Sequence, residues 1–205
     1  MGLSYENLDA STRRFMVEEI EMDAASGALY LSSYLNDHGC EAWPRMLRDA
    51  AASGTDDTLA EALRRDGCLR SRVERRTSRS RASTAAVPYT AHETIAEGEF
   101  NRYYVRGLCR RAIAEGVATL EVYRAKPVAR PRPESQRRVG TLVDPAAILA
   151  DLRATNGVEP ALGVPAGPNS GLSLRLPPEA GSPAPVDAAP RPPASRFSFP
   201  WRFRS

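Results

Sequence analysis

Lysine is almost absent from this chain: of 28 basic residues only Lys126 is lysine, and the rest are arginine. Aromatic residues make up only 7% of 205, and there are three cysteines and two histidines. Cys40, Cys68 and Cys109 are too few and too scattered for a disulfide framework, so reduced thiols in a cytoplasmic setting are expected. No run of 18 apolar residues occurs, which argues against a helical membrane span. The opening residues up to Glu6 lack a basic stretch followed by an apolar one, so no secretory signal is expected. Glu6 also stands where N-myristoylation wants Ser or Thr. The net charge of +3 is too small to mark a nucleic-acid binder by itself. Arg, Ala, Pro and Gly share GC-rich codons, so the arginine excess has a plain source in codon usage.

What is present centres on Tyr89 to Lys126. Thr90 and Glu93 form a Ser/Thr-x-x-Glu capping box, and Pro88 favours extended chain just before it. Gly116 is placed to end the helix in the left-handed conformation. Between them Phe100, Tyr104 and Leu108 form one row, and Val105, Cys109 and Ile113 another, with Ala112 beside them. Two adjacent rows make a broad apolar face. The remaining face carries Glu99, Arg102, Arg106 and Arg110, which reads as a solvated stripe or, functionally, an anion-facing one. Gly98 and Gly107 both sit inside the helix at a cost against alanine, and Gly107 calls for a close backbone approach or a kink. Val117 to Arg124 then alternates, with Ala118, Leu120 and Val122 inward.

Upstream, Asp9 or Ser11 caps a first helix to about Ala25, with Phe15, Met16, Ile20 and Ala24 inward and Gly27 ending it. Ala28 to Ser32 reads as a short strand. Cys40 to Ser53 reads as a helix with Pro44 in its first turn, and Asp56 or Asp57 starts another that buries Leu59 and Leu63. Cys68 to Thr77 and Ser83 to Tyr89 read as the strands of a hairpin. The fold expected is therefore α+β: a small mixed β-sheet covered by a long central helix, with additional N-terminal helices. If the strands flanking the long helix shared a sheet, their crossover would be right-handed.

Fifteen of the seventeen prolines lie from Pro127 onward, so the compact core is placed at residues 1–126. Residues 127–176 read as an extended segment wrapping that core, with one short helix at about 144–155 capped by Asp144-Pro145. Residues 177–205 read as a Pro-rich, largely disordered tail, with too little apolar surface to offset chain entropy.

No reaction is signalled. The order helix, three strands, helix, strand resembles the restriction-endonuclease-like fold in topology alone. That chemistry needs an acid on one strand and an acidic-x-Lys pair on the next. Glu74 could supply the first, but Ser83 to Tyr89 holds no carboxylate or lysine, and Glu121 and Lys126 are five apart elsewhere. His38 and Cys40 make at most a two-ligand corner for zinc, with Cys68, His92 or Cys109 as distant donors and no Cys-x-x-Cys pair. No phosphate-cradling glycine loop occurs, and no cofactor is expected.

Two segments suggest partners. The stretch from Arg196 to Arg204 holds Phe197, Phe199, Trp201 and Phe203, together with Arg202 and Arg204. A basic aromatic cluster behind a proline-rich spacer suits a tethered peptide that fills pockets on a partner protein. The expected function is thus a non-enzymatic interaction or assembly protein. The second class is nucleic-acid binding through Arg70, Arg72, Arg75, Arg76, Arg79 and Arg81 on the hairpin, supplemented by Arg102, Arg106 and Arg110. No aromatic lies within that hairpin to stack bases, which disfavours single strands.

Overall fold

The computed structural model describes residues 2–75, 83–157, 160–165 and 170–177. Within them lie α1 (Ala10–Ser26), α2 (Asp37–Ser53), α3 (Asp56–Arg65), β1 (Arg72–Arg75), β2 (Ser83–Ala86), α4 (Ala91–Glu115), β3 (Leu120–Arg124), α5 (Pro133–Arg138), β4 (Leu142–Val143), α6 (Pro145–Ala154) and β5 (Leu172–Arg175). The fold is α+β. Its pairings are all antiparallel rather than mixed: β1 pairs with β2, and β3 sits between β4 and β5. The strands flanking α4 therefore belong to separate sheets, and no crossover joins them. Among the described residues no helix is long and apolar enough to cross a membrane.

Helix α4 is the hub. It packs against α1, α2, α3, α6 and β5, as its broad apolar face requires. Phe100, Tyr104, Val105, Leu108 and Cys109 are fully buried, whereas Ile113, near the end of the second row, is 50% exposed. Gly116 closes the helix with φ of 71°, as its spacing predicts. The capping box does not form. Thr90 has ψ of 8°, well short of extended cap geometry, and its side chain makes no cap hydrogen bond. A turn instead leads in, with the Ala91 N–H donating to the Pro88 carbonyl.

The two internal glycines differ. A Cβ at Gly107 would lie 2.7 Å from Met16 Cγ and 2.9 Å from Met16 N, so glycine lets α1 seat directly on the α4 backbone. A Cβ at Gly98 would meet nothing. Gly98→Ala should therefore raise stability by ~0.5–1 kcal/mol, and Gly107→Ala should lower it by ~1–3 kcal/mol. Thermal unfolding of the two variants checks this; shifts of the same sign would refute the distinction.

The N-terminal helices follow their end signals with some displacement. Asp9 caps α1 through the Ser11 and Thr12 N–H groups, and Gly27 ends it with φ of 69°. Phe15, Met16 and Ile20 face inward, but Ala24 is exposed and Asp23 is buried in its place. Asn36 caps α2, whose first residue, Asp37, lies three residues before the expected start, so Pro44 lies in the helix interior rather than its first turn. Ala28 to Ser32 is a loop, not a strand, and the Trp43 indole N–H holds the Tyr30 carbonyl there.

The segment after 126 joins the sheet built on β3. It supplies β4 and β5, both partners of β3, and a second helix, α5, besides α6. Leu120 and Val122 pack against Leu172 and Leu174 of β5 in the main core. On the other face, Tyr123 is buried as well, because Leu3 and Tyr5 cover it and its hydroxyl donates to the Ser4 carbonyl. The outer edge of β5 is closed by α4: Asn101 Nδ2 donates to the Leu172 carbonyl at 2.9 Å and the Tyr104 hydroxyl to the Leu174 carbonyl at 3.1 Å.

Candidate functional site

Of the residues singled out above, Phe197, Phe199, Trp201, Arg202, Phe203 and Arg204 lie outside the described residues, as does all of the tail expected at 177–205 except Pro177. Arg76, Arg79 and Arg81 do too. The remaining hairpin does form, in the register Arg72 to Ala86 and Glu74 to Thr84. Arg72 is exposed and reaches the Thr84 carbonyl and hydroxyl across the ribbon. Arg70 anchors the base, donating to the Leu35 carbonyl at 2.7 Å and pairing with Asp37 at 3.1 Å. Arg75 lies at the end of β1. The ribbon pairs with no other strand among the described residues.

The α4 arginines behave differently from the expected solvated or anion-facing stripe. Arg106 is fully buried, with two carboxylates of α1, Glu19 and Asp23, around it. Its Nε donates to Glu19 at 2.9 Å, and its two terminal nitrogens grip Asp23 at 2.5 and 2.9 Å. Tyr103 donates to the same Asp23 at 2.7 Å, and its ring lies under the guanidinium. Arg153 of α6 closes the group with bonds to both oxygens of Glu19, at 2.5 and 3.1 Å. Burial pushes the Glu19 carboxyl up, but Arg153 and Arg106 outweigh it and hold Glu19 below its ordinary range. Glu19 therefore contributes stability at neutral pH that is lost as acid protonates it. Arg110 is partly exposed and pairs with Glu18 at 2.8 Å, its guanidinium over the Phe15 ring. Arg102 is 7% exposed and donates to the Leu152 and Thr155 carbonyls at the end of α6. Arg102 and Arg106 are thus structural ties between helices, not surface cations.

A cleft of about 250 Å³ lies between α3, the start of α4 and the N-terminal segment, lined among others by Gly2, Asp56, Arg64, His92, Glu97 and Lys126. Asp56 is 3% exposed and accepts the Leu3 N–H at 2.9 Å through Oδ2. Burial raises its carboxyl above the ordinary range, against the pull of that N–H. The lone lysine donates to Glu97 at 2.6 Å. Burial works against the Lys126 charge, but the Glu97 bond prevails and holds its ammonium protonated above the ordinary range. A lysine so held is a poor nucleophile at neutral pH. The buried thiols are likewise turned from nucleophilic use, since burial raises both Cys68 and Cys109. Glu74 and Glu121 sit in different sheets, and Glu121 is bound by Arg175 at 2.8 Å.

Sequence reasoning missed this cleft and the acids opposite Arg106. The available signal was Glu19 and Asp23 falling on the same 3–4 spaced stripe as Phe15, Met16 and Ile20. No protein-family model, curated protein or solved structure matches the chain.

Proposed function

We propose that this is a cytoplasmic, non-enzymatic interaction or assembly protein whose folded core carries a C-terminal aromatic peptide that docks onto a partner protein. The observation that supports this reading is how the large aromatics divide. Phe15, Phe100 and Trp43 are spent in the core, and every other phenylalanine and tryptophan falls between Phe197 and Phe203. Aromatic side chains carry the largest burial energy per residue, and binding hot spots are rich in them. The test is affinity capture with the full chain and with a chain ending at Ala194, each with and without nuclease. A protein partner lost on truncation, and lost equally when Phe197, Phe199, Trp201 and Phe203 are replaced by alanine, is the expected result. Capture that survives both changes would refute it.

The second reading is nucleic-acid binding by the β1–β2 ribbon. It is favoured by the exposed Arg72 on a two-stranded element that pairs with no other strand among the described residues. It predicts capture that vanishes with nuclease, ignores the truncation, and weakens steeply with salt.

A further inference from the structure

One interior carboxyl stands apart from the paired acids. Glu99 of α4 is 8% exposed, and its Oε2 is buried with no hydrogen-bond partner. Its other oxygen lies 3.9 Å from Arg102 Nε, within ion-pair range but beyond a hydrogen bond. The Arg102 guanidinium is directed elsewhere: Nη1 donates to the Leu152 carbonyl at 3.3 Å and the Thr155 carbonyl at 3.1 Å. Those are orphan acceptors at the C-terminus of α6, where a cation also meets the negative end of the helix dipole. The next residue, Asn156, has a buried Oδ1 without a donor, so the junction carries its own hydrogen-bond deficit. The charged groups around Glu99 are otherwise committed. Asp23 faces it from α1, but Arg106 and Tyr103 of α4 hold that carboxylate, and Arg106 is held in turn by Asp23 and Glu19.

We propose that Glu99 and Arg102 form a proton-linked latch on the end of α6, closed when Glu99 carries its proton and opened when it ionises. With the carboxyl neutral, Arg102 stays on the carbonyls that end α6. Once the proton leaves to solvent, the carboxylate has the Arg102 guanidinium within reach. Moving Arg102 Nε by roughly 1 Å makes a charge-assisted hydrogen bond. The same movement draws Nη1 away from the Leu152 and Thr155 carbonyls. What loosens is the link from α6 into the chain that leads to β5. Burial, opposed by Arg102 and Arg106 and reinforced by Asp23, raises the carboxyl to about 7, so the latch works near neutrality.

The test is amide hydrogen exchange on the full chain, corrected for intrinsic rates, from about pH 5.5 to about pH 8.5. Protection of the Thr155 amide, which donates to the Asp151 carbonyl, and of its neighbours should fall by about tenfold or more as pH rises. Glu99→Gln should flatten that dependence at the protected level, and Arg102→Gln should flatten it at the unprotected level. Wild-type protection that does not change with pH, or an unaltered pH dependence in either variant, would overturn the latch. A readout independent of both variants is the carbon-13 titration of the Glu99 carboxyl in the wild type. A midpoint near neutrality supports the proposal, and one in the ordinary carboxylate range refutes it.

Discussion

Arg106→Gln should cost about 3–5 kcal/mol, the range found when one partner of a buried ion pair is removed. The change leaves Asp23 with the Tyr103 hydroxyl and takes from Glu19 one of its three guanidinium partners, leaving Arg153 and, at 3.5 Å, Arg110. Both carboxylates stay in the interior, since Glu19 has no exposed surface and Asp23 only 6%. Glutamine cannot neutralise either, so the cost is that of stranded charge rather than of a lost attraction. Against a typical net stability of about 5–15 kcal/mol this is a large fraction. In urea followed by circular dichroism the midpoint should fall by something on the order of 2 M. Arg110→Gln is the control. Arg110 lies one turn further along the same face, but both it and its nearer partner Glu18 reach solvent, and Glu19, 3.5 Å from Arg110, keeps Arg106 and Arg153, so its loss should cost under ~1 kcal/mol. Equal shifts for the two would mean that the inward turn of Arg106 contributes nothing. The contrast also bears on nucleic acid: salt-slope experiments must use Arg72, because removing Arg70, Arg102 or Arg106 changes the fold's own ties.

The contrast between Arg106 and Arg110 shows why part of this molecule was readable and part was not. End signals act over a few residues, so Asp9, Asp144 with Pro145, Gly27 and Gly116 place the ends of α1, α4 and α6 from local chemistry alone. The apolar rows of α4 likewise reveal a hub because period and burial are linked on one helix. An arginine stripe has no such link. It looks the same whether water or a carboxylate covers it, and the covering acids here lie 83 and 87 residues away. The acids themselves could have been noticed, since Glu19 and Asp23 interrupt an apolar stripe where an unpaired charge would be costly. The cleft around Asp56 and Lys126 offered even less, because it assembles from α3, α4, the residues after β3 and the N-terminus. Strand β5 was legible as an apolar alternation, Leu172, Leu174 and Leu176, but glycine and proline around it favoured reading it as wrapping chain. Local composition reports turns well and says little about which sheet a four-residue strand will join.

A chain ending after Pro165 should fail to fold cooperatively, and one ending after Pro177 should melt like the full chain. The shorter version loses β5, hence Leu172 and Leu174, both fully buried. Each fully buried leucine contributes about 1.5–3 kcal/mol. The loss does not stop at apolar area. Asn101 gives up both of its partners, the Leu172 carbonyl and the Ser173 hydroxyl, and the Tyr104 hydroxyl loses the Leu174 carbonyl. Buried groups stranded in this way cost about 1–3 kcal/mol each. Strand β3 would keep only its two-residue pairing with β4, and a two-stranded remnant is marginal in water. The N-terminal segment would come loose as well, because Arg175 pairs with Glu6 and the Leu176 N–H donates to Asn7. Together these losses match the net stability of a domain of this size. Near-ultraviolet circular dichroism and a thermal melt of the two truncated chains decide the matter. A cooperative melt in the chain ending after Pro165 would mean that the helices around α4 hold together without the sheet, and that β5 is an ornament on a core already complete.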